Sequence, residues 1–180
     1  MLREIVVLGD SRLLLPCVTV PFPLSTEVME VIRDLLDTMH HTKGVGLAAN
    51  QIGETDRVFT LTTQHTQRKG VPRLAPLVFI NPSITDHSPD LMLDHEGCIS
   101  TSIDGKAAIR GVVARHRWVE LEWQDEKGRS HRKRFEDFLA RIVQHELDHL
   151  NGRLYLHRLA TVDDLVMESY YQQHHRPKLI

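Results

Sequence analysis

One short run constrains this chain more than any other: Gln144-His145-Glu146-Leu147-Asp148-His149, set inside an apolar pattern. Phe138, Leu139, Ile142, Val143 and Leu150 supply apolar faces at helical spacing, which predicts a helix from about Glu136 to Leu150, ended by Gly152. Residues four apart share one helix face, so His145 and His149 can aim two imidazole nitrogens at one metal ion. Glu146, one residue on, can reach a metal-bound water as general base. The rest of the chain reads as material packed around that helix.

A first helix is predicted from a Ser25 cap through Val28, Ile32, Leu35, Leu36 and Met39, with His40, His41 and Lys43 at its end and Gly44 and Gly46 stopping it. Short strands follow. Arg57 to Leu61 is β-rich, Gln64 to Pro72 is a polar surface loop, and Leu77-Val78-Phe79-Ile80 is an apolar run ended by Asn81-Pro82. Val119, Leu121 and Trp123 alternate with Trp118, Glu120 and Glu122 as a half-buried strand, and a turn at 125–128 returns Arg129 to Phe135 as its hairpin partner. A third helix is expected over Val162 to Tyr171. The fold class is α+β: short, mostly antiparallel strands packed around a central metal-binding helix. Residues 1–171 form a single catalytic domain in this reading. Residues 172–180, with His174, His175, Arg176 and Lys178, form a polar, flexible tail.

Composition narrows the function. The 180 residues carry 22 Lys plus Arg against 24 Asp plus Glu, a net charge of -2, without the basic footprint of a dedicated DNA binder. No apolar run approaches the ~20 residues that span a bilayer, and the N-terminal run is too short for a signal peptide. The expectation is a cytoplasmic protein with no membrane partner. Its two cysteines, Cys17 and Cys98, are too few for a disulfide scaffold and are read singly. Twelve histidines make chance motifs more common, so the helix motif needs support from elsewhere.

A catalytic metal site wants three protein ligands and an open position. The longer H-E-x-x-H-x-x-G-x-x-H pattern fails here, because its last position is Tyr155 and His157 comes two residues late. Cys98, in Glu96-Gly97-Cys98-Ile99-Ser100, is the better third ligand, since metal binding deprotonates a thiol to a strong donor. Cys17 reads as a small buried apolar residue. Gly44 to Gly53 combines two glycines, small residues and an amide. It reads equally as backbone brought close to a ligand or as a tightly packed turn.

Together these segments resemble the peptide deformylase family. Gly44 to Gln51 matches its G-x-G-L-A-A-x-Q motif, and Glu96 to Ser100 matches E-G-C-L-S with Ile99 for Leu. Gln144 to His149 matches Q-H-E-x-D-H, with Leu150, Asn151 and Gly152 following as expected. Weaker similarity reaches about residue 160. The resemblance implies a metal-dependent hydrolase that removes the N-formyl group from the N-terminal methionine of nascent polypeptides, by attack of a metal-bound water on the formyl carbonyl. Cys98, His145 and His149 would hold one divalent ion, typically Fe2+ and replaceable by Zn2+, Ni2+ or Co2+. Glu146 would move the proton. The Gln51 amide and the Ile99 backbone N–H would stabilise the oxyanion. Val45, Gly46 and Gly97 would hold the N-formylmethionyl peptide as an added strand, and Val45, Phe138, Ile142 and His145 would take the methionine side chain. The resemblance leaves contact with the ribosome surface open.

One departure stands out. The family follows E-G-C-L-S with a small apolar residue and Pro, then an Arg about five residues after the Ser. Here Thr101 to Ile109 lacks the Pro and delays Arg110 by about five residues. This segment is expected to be mobile and to affect recognition of residues after the methionine. It keeps open a shifted peptide or small-formamide specificity. A non-catalytic metal-binding homologue is the remaining alternative, against which intact Glu146 and Gln51 argue.

Overall fold

The computed structural model describes residues 1–66, 68–103 and 106–175. Ser25 accepts a hydrogen bond from the Val28 N–H and starts α1 (Thr26–Thr42), and Lys43 closes it in the left-handed region at φ 55. The chain then runs through β1 (Gly46–Ala48), a 3₁₀ turn (Ala49–Ile52) and β2 (Val58–Leu61) into β3 (Leu77–His87). Next come β4 (Leu91–Glu96), a 3₁₀ turn at Ile99–Thr101, the short pair β5 (Ser102–Ile103) and β6 (Lys106–Ala107), and β7 (Ile109–His116). The hairpin β8 (Trp118–Gln124) and β9 (Ser130–Glu136) leads directly into α2 (Asp137–Leu150).

Two larger antiparallel sheets result, ordered β1-β2-β3-β8-β9 and β10-β7-β4, where β10 is Leu165–Met167. Strand alternation sorts the core. Phe59 and Phe79, with Val119, Leu121 and Phe135, pack against Ala140, Ile142, Val143, Leu147 and Leu150 of α2. Their neighbours Val58 and Ile80 turn the other way, onto Ile32, Leu35 and Met39 of α1. The Phe59 and Phe79 rings stack with centroids 4.5 Å apart. The expected α+β class and the central helix are both present, with α2 packed on the five-stranded sheet and in contact with β7.

Four segments differ from the sequence reading. Asn81-Pro82 does not end the third strand; it bulges it, with Asn81 at φ 52 and a register shift between Ile80 and Ser83. The Asn81 side chain holds the bulge by accepting from Val20 N–H and donating to the Val20 carbonyl and Gln124 Oε1, each at 2.8–2.9 Å. The helix expected over Val162 to Tyr171 is divided into a 3₁₀ turn (Val162–Asp164), β10 and α3 (Glu168–His174). The strand forms because β7 offers Ile109–Gly111 as a free edge for Leu165–Met167 to pair with. The segment Thr101 to Ile109 is partly ordered by the β5–β6 pairing and by Ala108 N–H donating to Thr101 O at 3.1 Å, while 104–105, including Gly105, lie outside the described residues. Of the expected tail, 172–174 finish α3, and 176–180 lie outside the described residues.

Asn81→Ala should therefore lower unfolding free energy by about 2–4 kcal/mol in urea denaturation, from the lost hydrogen bonds and the left-handed backbone. Asn81→Gly should recover only the backbone share.

Candidate metal centre

The close of α2 is tied to the N-terminal half of the chain. Cys17 N–H donates to Leu150 O at 2.8 Å, and the Asn50 amide donates to His149 O at 2.6 Å. Gly152 at φ +70 turns the chain away, and a Cβ there would sit 2.5 Å from the Leu14 carbonyl oxygen. These contacts fix the last two turns of α2, which carry His145 and His149 on one face.

Cys98 reaches the same place from β4, one residue past Gly97. The ligating atoms of Cys98, His145 and His149 lie within 4.8 Å of one another, all buried. Cys98 Sγ is 3.2 Å from His149 Nε2. His145 donates its Nδ1–H to Glu96 Oε2 at 2.9 Å, which turns Nε2 toward the other two ligating atoms and would leave it as the nitrogen that meets a metal. Burial pushes the Cys98 thiol up, but His149 and His145 outweigh it and hold the thiol well below its usual range. One soft thiolate and two imidazoles form a donor set that suits a divalent transition metal with an open coordination position. Two buried atoms beside this set, Glu146 Oε2 and His149 Nδ1, have no protein partner among the described residues.

The other expected site residues gather around the same centre. A groove of about 940 Å³ is lined by Val45, Gly46, Gln51, Gly97, Cys98 and Ile99 on its walls and by Phe138, Ile142, His145 and Glu146 along α2. His149 lies beneath the groove, 1% exposed. Gln51 is locked: Oε1 accepts from Ala48 N–H at 2.9 Å, and Nε2 donates to Cys98 Sγ at 3.3 Å and Ser100 Oγ at 3.2 Å. Ile99 opens a 3₁₀ turn, so its N–H has no acceptor within that turn. Gly46 has a steric reason as well, since a Cβ would lie 2.3 Å from Glu146 Oε1. Burial pushes the Glu146 carboxyl up to about 7 against the opposing pull of His145 and His149. Cys17 sits apart in the core, its thiol pushed up to about 11 by burial.

The ion network beneath the ligands was not legible as a unit in the sequence. Glu96 takes a bidentate pair from Arg115 (Nε and Nη2, both 2.9 Å), a bond from Arg141 Nη1 at 2.7 Å, and the bond from His145. Arg115 also pairs with Asp148, which in turn pairs with Arg158 at 2.6 Å. Burial opposes ionisation of Glu96, yet Arg115 and His145 hold its carboxyl far below the usual range. One signal was available: Arg115 falls on the inward face of an alternating strand with Gly111 and Val113, where an arginine requires a carboxylate.

A buried cluster of one strand-end cysteine and two histidines from a helix, with a buried carboxylate one residue from a ligand, defines a metallohydrolase site. A family model described as polypeptide deformylase matches residues 2–164. Peptide deformylase 2 of a Nostoc species is 33% identical over 173 residues, covering 96% of this chain and 94% of its own. The peptide deformylase of Zymomonas mobilis is 37% identical over 158 residues, covering 82% and 86%. The crystal structure of a class I type b peptide deformylase from Acinetobacter baumannii with Met-Ala-Ser bound superposes with TM-score 0.79 at 30% identity, covering 88% of this chain and 99% of that one. A peptide deformylase from Synechococcus elongatus in complex with actinonin gives 0.78 at 34%, covering 90% and 83%. The chain belongs to the peptide deformylase family, metal-dependent hydrolases that act on formylmethionyl peptides.

Removing Arg115 leaves Glu96 and Asp148 buried without their shared cation. Arg115→Met should cost about 3–5 kcal/mol of stability. Through Glu96 it should weaken metal binding about 10–100-fold, measured by chelator competition.

Proposed function

We propose that this protein removes the formyl group from the N-terminal methionine of nascent chains, with Cys98, His145 and His149 holding one ferrous ion. The observation that carries the reading is Glu146: buried, one oxygen without a partner among the described residues, and not needed to hold a metal. Thiolate and imidazole would also accept zinc, nickel or cobalt, and the choice of iron rests on the family resemblance. When bound, the ion would supply the Lewis acidity that brings the pKa of a water down toward neutrality. Glu146 accepts that water's proton at its carboxylate and later delivers it to the leaving amine. Burial favours the protonated form of this carboxyl and a bound cation would favour the ionised one, so the group can both take and return a proton.

Attack on the formyl carbon puts negative charge on its oxygen. The Gln51 Nε2–H that now points at Cys98 Sγ and the Ile99 N–H are the donors assigned to it. Main-chain groups of Val45, Gly46 and Gly97 hold the peptide extended, and the methionine enters between Val45, Phe138, Ile142 and the His145 ring. Residues 1–171 act as one catalytic domain. Among the described residues no helix is long and apolar enough to cross a membrane, in keeping with the cytoplasmic location proposed for a co-translational enzyme.

Purified protein loaded with Fe2+ without oxygen should release formate from formyl-Met-Ala-Ser and leave an internal-peptide substrate intact. Glu146→Ala should keep its metal and lose about 10²-fold or more in rate. Full activity in that variant would refute the proton role, and no formate from the wild type would refute the reading. Metal analysis gives an independent check: Cys98→Ala should lose most bound metal and Cys17→Ala should not, because only the first removes a ligand.

A further inference from the structure

The connection between β2 and β3 reads in the sequence as an ordinary polar loop, but Thr66, Arg68 and Lys69 line the groove, and Arg68 is anchored there. Its base is tied together: Thr62 Oγ1–H donates to Leu74 O at 2.9 Å, and Leu74 N–H donates to Thr63 Oγ1 at 2.7 Å. From this base Arg68 reaches over α2. Its guanidinium carbon lies 4.5 Å from the centroid of the Phe138 ring, and its Nη2 is 2.5 Å from Asp94 Oδ2 on β4. Asp94 is held in turn, because its Oδ1 accepts the His95 N–H at 2.8 Å. Arg68 thus bridges α2 and β4, although nothing in the family motifs includes it.

Its position along α2 gives the bridge a meaning. Ile142 and Phe138 lie three and seven residues before His145, on one stripe of the helix. At ~1.5 Å per residue, Phe138 is about 10 Å from the ligand end of that stripe. That is about the span of a formyl group followed by an extended methionine side chain. Arg68 lies over Phe138, where the terminal methyl of that side chain would arrive.

We infer that the Arg68–Asp94 pair is the end wall of the methionine pocket and sets its depth, so that it selects side-chain length. This rests on the pocket assignment above. The guanidinium, placed over the Phe138 ring and paired with Asp94, offers a polarisable surface to a thioether. A side chain one methylene longer would have to displace the cation from both.

The test compares formyl-Met-Ala-Ser with its ethionine analogue, which is longer by one methylene, on the wild type, Arg68→Ala, Asp94→Ala and the double variant. Metal content is measured in each. The wild type should prefer methionine. Either single variant should reduce that preference by about three- to tenfold in kcat/KM, within the range one methylene can carry. The double variant should add little, because the pair acts as a unit. A common factor for both substrates, or a preference unchanged in Arg68→Ala, would overturn the inference. So would an effect of Arg68→Ala that Asp94→Ala fails to reproduce. Calorimetric binding of Met-Ala-Ser and its ethionine counterpart to the metal-loaded proteins repeats the comparison without turnover. If the wild type released no formate, the deformylase reading would fall, and equal binding preference across the variants would still separately overturn the end wall.

Discussion

The bidentate pair between Glu96 and Arg115 is the interaction on which the rest of this structure depends. Glu96 ends β4 and Arg115 lies near the end of β7, so the pair joins the two strands beside the metal centre. The same carboxylate orients His145, and the same guanidinium reaches Asp148, one residue before His149. Both ligand-bearing elements, the strand that leads to Cys98 and the last turns of α2, are thereby fixed to one buried charge cluster. Such a cluster is a poor source of net stability, because desolvation of each ion offsets most of the attraction. What it supplies is orientation: each carboxylate oxygen of Glu96 is engaged, so His145 has one ring setting available.

The electrostatics around the cluster divide two carboxylates that are neighbours in space. Glu96 is surrounded by arginines and stays ionised. Glu146 is equally buried but has no arginine partner among the described residues, and burial raises its carboxyl to about 7. The structural carboxylate and the one proposed to carry a proton are thus separated by environment alone.

Much of this was legible in the chain. The α2 boundaries, the α1 cap at Ser25, the β8–β9 hairpin and the gathering of Cys98, His145 and His149 all followed from local periodicity and motif chemistry. What was not legible came from contacts between distant segments. Asn81-Pro82 looks like a strand end until Val20 and Gln124 supply the partners that make it a bulge. Leu165–Met167 looks helical until β7 presents an open edge. Arg141 lies on α2 next to apolar positions, and only the fold reveals that it reaches Glu96 and the Val113 carbonyl. Arg68 sits in a polar stretch whose composition says surface, and its role depends on where Phe138 and Asp94 are brought.

β1 is the last strand of one sheet and β4 the last strand of the other, and both edges border the groove. Two unpaired edges present main-chain donors and acceptors, which are the same for every residue except proline. An extended chain laid between them would join the two sheets into one surface. Contacts of that kind carry no information about which amino acids the chain contains. Under the proposed function, a catalyst built across such a gap would be indifferent to most of the message it handles and would read one letter only, at the end where the side chain turns down toward α2.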